Sequence, residues 1–263
     1  MELVDVHCHL ESSYLYKNLD TVLRDAVDTG VKKLITSSIT PEQWPVSLGL
    51  ATRYEEVECA LGVHPWYLDE SFFSSLDLLG DEARKGAVAI GEIGLDIKVD
   101  FPALDQQVPF FEKQLAVARE LNLPVIMHCR GAWQEILKSI KRVGMPEAGG
   151  LLHSFSGSPE IAEDFIPLGI SFSMGGILTY RNSRKRKNLL KKIYPRHFLL
   201  ETDSPDIPPV EVRTDPASPN VPANIIYNLR AAADILEKSA EEIARETTAN
   251  AVRIFNLDMK RQG

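Results

Sequence analysis

Short apolar runs rich in Val, Ile and Leu recur along the whole chain, and the segments between them place apolar residues at helical rather than alternating spacing. The runs predict strands over 3–7, 33–37, 58–63, 87–92, 124–128, 150–153, 169–173 and 197–202. Eight strands alternating with helices call for a parallel sheet with right-handed crossovers, and at this spacing for an α/β fold of the (β/α)8 TIM barrel type. The first helix shows the logic. Leu19, Val22, Leu23, Ala26 and Val27 fall at i, i+3, i+4, i+7 and i+8, one stripe facing the sheet, and Gly30 stops it. Phe111, Leu115 and Ala118 mark another such face, which ends near Asn122 and hands over to Pro124, a residue that can begin a strand but not continue a helix. After the eighth strand a loop with Pro205, Pro208, Pro209, Pro216, Pro219 and Pro222 leads into two helices near 223–237 and 241–256.

A chain of 263 residues suits one barrel domain, 1–263, and no low-complexity tract, linker or composition break divides it. With 44% hydrophobic and 25% charged residues, disorder, collagen and coiled coil are excluded. Lys plus Arg number 29 against 37 Asp plus Glu, a net charge of −8 that excludes a broadly basic nucleic-acid coat. Any contact with nucleic acid must therefore be local. Cys8, Cys59 and Cys129 form no CxxC pair, which points to a reducing compartment. With no basic-then-apolar leader and no run of 18 apolar residues, the sequence predicts a cytoplasmic protein without membrane association. It does not set the oligomeric state, and a monomer is compatible with it.

The chemistry gathers at strand ends. Asp5-Val6-His7-Cys8-His9 closes the first strand, and a side-chain period of two puts Asp5, His7 and His9 on one face, with Cys8 turned toward the helices. Two imidazoles so placed can share one divalent ion, or they can be two hydrogen-bonded loop histidines. His64, His128 and His153 also lie at carboxyl ends of predicted strands, and only His197 does not, so five of six histidines point at one rim. Glu92 is expected to close the fourth strand, where an unpaired buried carboxylate would be costly, and Gly91 and Gly94 allow close backbone approach. Asp203 repeats the pattern after the eighth strand, with Glu201 on the same side. Asp5 and Glu201 are expected deeper, orienting imidazoles, and Asp96 as either a helix cap or a hydrogen-bond partner of the site. The count gives His7, His9, Glu92 and Asp203 for one ion and Glu92, His128 and His153 for a second, with Glu92 shared. Two divalent ions (Mg²⁺, Mn²⁺ or Zn²⁺) about 3.5–4 Å apart suit phosphodiester hydrolysis, because they activate water and neutralise both the attacking and the leaving oxygen.

These segments resemble the TatD family of metal-dependent deoxyribonucleases, within the amidohydrolase superfamily, over almost the full length. DVHCHL is similar to the family's opening DxHxH, ALGVHPW to its GxHP, and AIGEIGLD to its central signature. PVIMHCR, LLHSFSG, SFSMGGILTYRNS and LLETDSPDIPP follow in family order. The resemblance implies the same ligand set, a His64 that contacts substrate or water rather than acting as a permanent ligand, an Asp203 that is both ligand and general base, and 3′-to-5′ removal of nucleotides from single-stranded DNA. Two positions depart from the family pattern. Gly131 stands where many relatives carry the acid of HxRDA, and Pro219 precedes Asn220 where they carry Arg.

The basic run after the seventh strand, Arg181 to Lys187 with Lys191 and Lys192, offers phosphate attraction or only a solvated helix face, and Arg181 lies nearest the rim. Trp66 and Tyr67 either stack a base or pack the loop. Together the residues predict a metal-dependent nuclease in which Glu92, Asp203 and His64 are catalytic and His64 and Arg181 hold phosphate oxygens. Two rivals stand beside it: a hydrolase of a small amide or ester, and a nucleic-acid-binding protein with low turnover.

Overall fold

The computed structural model describes residues 1–180, 184–213 and 219–259. Eight strands lie where the apolar runs place them: β1 (Leu3–Cys8), β2 (Val31–Ser37), β3 (Val57–Leu61), β4 (Ala89–Asp96), β5 (Val125–Arg130), β6 (Gly150–Leu152), β7 (Ile170–Met174) and β8 (Phe198–Leu200). They pair in sequence order, every neighbour parallel, with helices between them. The result is the (β/α)8 TIM barrel that the pattern predicts.

Each helix buries its apolar stripe against the strands. In Leu19–Thr29 the residues Leu19, Val22, Leu23 and Ala26 are buried, and Gly30 caps the helix at φ +106°. Val27 departs from expectation: it is 41% exposed, because i+8 falls at the edge of the stripe in the last turn. The helix Leu104–Leu121 buries Phe111, Leu115 and Ala118 and ends at Asn122. Between the sheet and the helices lies the larger apolar layer, which takes in Cys8 and Cys129. Inside the barrel, Val4, Val6, Ile35, Ala60, Ala89, Ile126, Leu151 and Leu199 form a second layer. The last helix, Ala240–Phe255, closes this layer with Ala251, Ile254 and Phe255, followed by Leu257. Its Asn250 donates to Pro195 O and Phe198 O, and its Thr248 to Glu2 O, so it seals the end where the strands begin.

Two strands break regular pairing, and both carry site residues. Between its pairings Asp5↔Leu34 and Cys8↔Thr36, β1 spends one residue more than β2, and β4 does the same against β5 between Ile90↔Val125 and Ile93↔Met127. Such bulges re-aim side chains. The strict alternation expected for Asp5, His7 and His9 is therefore interrupted, and Val4 and Val6 supply the inner layer instead. Glu92 lies within β4 on its bulge rather than at its end, since the strand runs on to Asp96. Gly91 is needed there: a Cβ on it would sit 2.6 Å from Ile126 Cβ. Gly94, at φ +148°, would place a Cβ 1.9 Å from His128 O.

The ring closes between β8 and β1 without a regular ladder. Asp203 N donates to His7 O at 2.9 Å and His9 N to Ser204 O at 2.8 Å. The buried Asp5 carboxylate spans the remaining gap, accepting from Thr202 N at 2.9 Å and from Thr202 Oγ1.

Candidate metal centre

All strands run toward one rim, and His7, His9, His64, Glu92, His128, His153 and Asp203 converge there. Glu92 is the hub. Its Oε2 faces His7 Nε2 at 3.3 Å and His9 Nε2 at 3.6 Å; its Oε1 faces His153 Nε2 at 2.7 Å, His64 Nε2 at 3.1 Å and His128 Nδ1 at 3.3 Å. Asp203 Oδ1 lies 3.5 Å from His7 Nε2 and 3.6 Å from His9 Nε2. Among the described residues, three subsets have their donor atoms within 4.8 Å of one another: His7, His9 and Glu92; His7, His153 and Asp203; and His64, Glu92 and His128. His153 reaches toward both His7 and His128, its ring centroid 4.0 Å from that of His7 and its Nε2 3.4 Å from His128 Nδ1.

The far nitrogens of these rings show which atoms are left for a ligand. His9 Nδ1 donates to Ser37 O at 2.8 Å, so its Nε2 keeps a lone pair toward Glu92 and Asp203. His128 Nε2 donates to Asp96 Oδ2 at 3.0 Å, leaving Nδ1 free to coordinate. His7 Nδ1 meets Ser37 Oγ at 3.1 Å, while its buried Nε2 has no hydrogen-bond partner in the fold. A buried nitrogen without a partner, among carboxylate oxygens and imidazoles, fits a divalent cation. His64 differs: its Nδ1 accepts from Trp66 N at 3.1 Å, so the proton sits on Nε2, which donates to Glu92.

Electrostatics follow the same division. Burial works against charge on His7, but Glu92 and Asp203 outweigh it and hold the imidazole up at about 10. For His128 burial is likewise outweighed, by Asp96 and then Glu92, and the ring titrates at about 9. Burial wins at His64, which is lowered, and at His153, lowered to about 4. The surrounding imidazoles, His153 foremost, overcome burial at Glu92 and keep its carboxylate well below the ordinary range. In Glu201 burial and the nearby Asp203 charge push the carboxyl up to about 8, and in Asp5 burial pushes it up to about 7.

Supporting residues stand behind these rings: Asp96, Asp5 and Glu201, which the sequence singles out, and Glu11, Gln107 and Gln114, which it does not. Asp96 is the last residue of β4, fully buried, and accepts from Trp66 Nε1 at 2.7 Å and Lys98 N at 2.7 Å as well as from His128; it is a partner of the site and caps no helix. Asp5 braces the seam and His7 N rather than an imidazole ring. Glu201 stands behind His153, 3.9 Å from Nδ1, and accepts from Ser154 N and Ser173 Oγ. Glu11 lies behind His9, 3.5 Å from Nδ1. Gln107 and Gln114 on the helix Leu104–Leu121 grip the backbone of Asp96 and Val63 with both ends of their amides, steadying the segments that carry Asp96 and His64. Two polar residues seven apart on an otherwise apolar face were the available signal. Arg181 lies outside the described residues.

One of the two departures from the family pattern, Gly131, has a local reason, and nothing in the structure explains Pro219. A Cβ at Gly131 would stand 2.8 Å from Ile97 Cγ1, so Ile97 fills the space an acid would need. Asn220 is buried and ties the loop after β8 together, donating to Thr202 O and Asp206 O and accepting from Val221 N.

The centre opens into a cleft of about 550 Å³, lined among others by His64, Trp66, Tyr67, Arg130, Ser154, Ile177, Asp206 and Ile207. A family model described as TatD-related DNase matches residues 4–256. The chain belongs to the TatD family. This TatD-family chain is 32% identical over 257 residues to the uncharacterized metal-dependent hydrolase YjjV of Escherichia coli K12, covering 97% of this chain and 98% of that one. It is also 32% identical to the uncharacterized metal-dependent hydrolase YabD of Bacillus subtilis, over 97% and 100% of the two chains. The crystal structure of YjjV matches with a TM-score of 0.89 at 30% identity, over 97% of this chain and 98% of that one. A TatD-family hydrolase from Entamoeba histolytica shares the fold with a TM-score of 0.85 at 21% identity, over 97% and 98%. The chain is thus a TatD-family metal-dependent hydrolase. Among the described residues no helix is long and apolar enough to cross a membrane.

Proposed function

We propose that this protein is a two-metal deoxyribonuclease that removes nucleotides from the 3′ end of single-stranded DNA. The observation that carries the reading is the position of Glu92, whose two oxygens divide between His7 and His9 on one side and His128 and His153 on the other. One ion would be held by His7, His9, Glu92 and Asp203, the other by Glu92, His128 and His153. When bound, the pair supplies water activation at neutral pH and charge neutralisation for both oxygens of a phosphodiester displacement. The description of the matched family as DNases supports the substrate class.

The chain's own groups take the remaining roles. Asp203, ionised and within reach of His7 and His9, holds the proton taken from the attacking water at its carboxylate. His64 lines the cleft with its proton fixed on Nε2, and that N–H, which faces Glu92 in the structure, would pass to a phosphate oxygen, a role its fixed tautomer favours over coordination. Arg130, exposed on the cleft wall, adds a cation at the phosphate, in addition to the role the sequence suggests for Arg181, which lies outside the described residues.

A small-molecule amide or ester is the second reading, favoured by the Asp206 carboxylate in the cleft wall, which repels a polyanion. The test is metal reconstitution followed by parallel assay of a single-stranded oligonucleotide and a panel of cyclic amides and esters. Release of mononucleotides from the 3′ end, with two ions counted per chain by elemental analysis, is the expected result. Turnover confined to the amides and esters overturns the substrate, and one ion per chain overturns the mechanism.

A further inference from the structure

The 3₁₀ turn Pro65–Tyr67 that follows His64 carries two rings into the cleft. Trp66 is 44% exposed, whereas Trp44, which serves the core, is 3% exposed. Yet the polar end of Trp66 is fixed. Its Nε1 donates at 2.7 Å to the buried Asp96 Oδ2, the same oxygen that accepts from His128 Nε2 at 3.0 Å. Edge-to-face contacts hold the ring 5.1 Å from His64 and 5.7 Å from His128. The indole is therefore immobilised against two imidazoles of the centre and still presents surface to the cleft. Tyr67 stands beside it, 46% exposed, with its ring 5.8 Å from His64.

A ligand drawn to this wall needs little positive charge. The chain carries a net −8, and Arg130 is the one Lys or Arg among the described residues that line the cleft. A preorganised ring offers affinity of another kind, because every nucleobase has a π-face and stacking loses little side-chain entropy on a residue already locked in place. Bases within a duplex are stacked on one another and cannot reach such a surface, so the complementary ligand is an unpaired base.

We propose that Trp66 is a two-ended residue of the oligonucleotide site: its exposed face stacks an unpaired nucleobase beside the scissile phosphodiester, while its indole N–H, acting through Asp96, positions His128. The proposal rests on the single-stranded DNA reading above and adds to it a base subsite and a link between that subsite and a candidate metal ligand. Its two ends separate by substitution. Trp66→Leu removes face and donor together; Trp66→Phe keeps an aromatic face and removes only the donor.

The experiment compares wild type, W66F and W66L on a dT oligonucleotide and on the same oligonucleotide with abasic 3′-terminal positions. For wild type, loss of the bases raises KM roughly tenfold, and W66L shows that raised KM on both substrates. W66F keeps KM within about threefold of wild type on the dT substrate, but calorimetric titration with Mn²⁺ shows affinity lowered roughly tenfold, as loss of an outer hydrogen-bond partner of a ligand histidine does. A readout independent of turnover uses the metal-free protein. The dT oligonucleotide quenches the part of the tryptophan emission that is missing in W66F, and the abasic oligonucleotide does not. Equal KM values for wild type and W66L, or no difference between dT and abasic quenching, overturn the base subsite. Unchanged Mn²⁺ affinity in W66F overturns the positioning role. Base-dependent quenching in a protein that hydrolyses no oligonucleotide removes the nuclease reading and leaves the subsite standing, whereas hydrolysis indifferent to Trp66 does the reverse.

Discussion

The two ends of the barrel are built on opposite principles. At the closed end, Val4, Val6, Ile35, Ala60, Ala89, Ile126, Leu151 and Leu199 meet Ile254, Phe255 and Leu257 in a layer with no titratable group. At the open end five imidazoles, His7, His64 and His153 buried and His9 and His128 partly so, meet several buried carboxylates, two strands bulge, and Ser154, Asp203 and Ile207 adopt left-handed backbone angles of φ +43°, +56° and +44°. Non-glycine residues in that region cost on the order of 1 kcal/mol or more each. The contrast teaches that the apolar end supplies the stability which lets the polar end hold like charges and strained backbone where they are useful. Stability and chemistry should therefore be separable by mutation.

The largest effect is expected at the hub. Glu92→Gln, nearly isosteric, should lower kcat/KM by on the order of 10³-fold or more and reduce the ions counted per chain, with an unchanged circular dichroism spectrum. A variant that keeps full metal content and activity would break the comparison. Phe255→Ala at the closed end should do the converse, lowering unfolding free energy by roughly 3–5 kcal/mol in urea titration while metal content at low temperature stays that of wild type. Asp96→Asn, which alters the partner of His128 without touching the hub, should weaken metal binding by about 10–100-fold in calorimetry.

The smallest and most general effect is on pH. His7 at about 10 and His128 at about 9 hold protons in the metal-free protein throughout the neutral range, raised by the carboxylates facing them. An ion must displace those protons, so affinity should rise with pH below about 9, by about tenfold per pH unit for each proton released. Calorimetry in buffers of different ionisation enthalpy counts the protons directly, and uptake without proton release would contradict the assigned donors.

The fold was largely legible in the sequence because parallel strands buried on both faces read as apolar runs, and helices over them as stripes with glycine or asparagine stops at Gly30 and Asn122. The convergence of the site residues was legible too, since a barrel brings strand ends together whatever their distance along the chain. What escaped the sequence depends on local irregularity. A bulge cannot be read from alternation, so Glu92 was expected at a strand end and Asp5 among the residues that orient imidazoles. Gln107 and Gln114 spend their amides on backbone of other segments, and no periodicity announces such partners. For Trp66 and Tyr67, which the sequence leaves between stacking a base and packing the loop, the structure shows the surface each keeps in the cleft, which composition does not encode.

The seam between β8 and β1 also sets when this centre can exist during synthesis. Asp5 reaches Thr202 across 197 positions, and the donors His7 and His9 meet Asp203 only at that junction. A nascent chain that has not yet reached Asp203 therefore displays the opening histidines without that carboxylate to face them. The full donor set is assembled only once Asp203 has been made and β8 lies against β1.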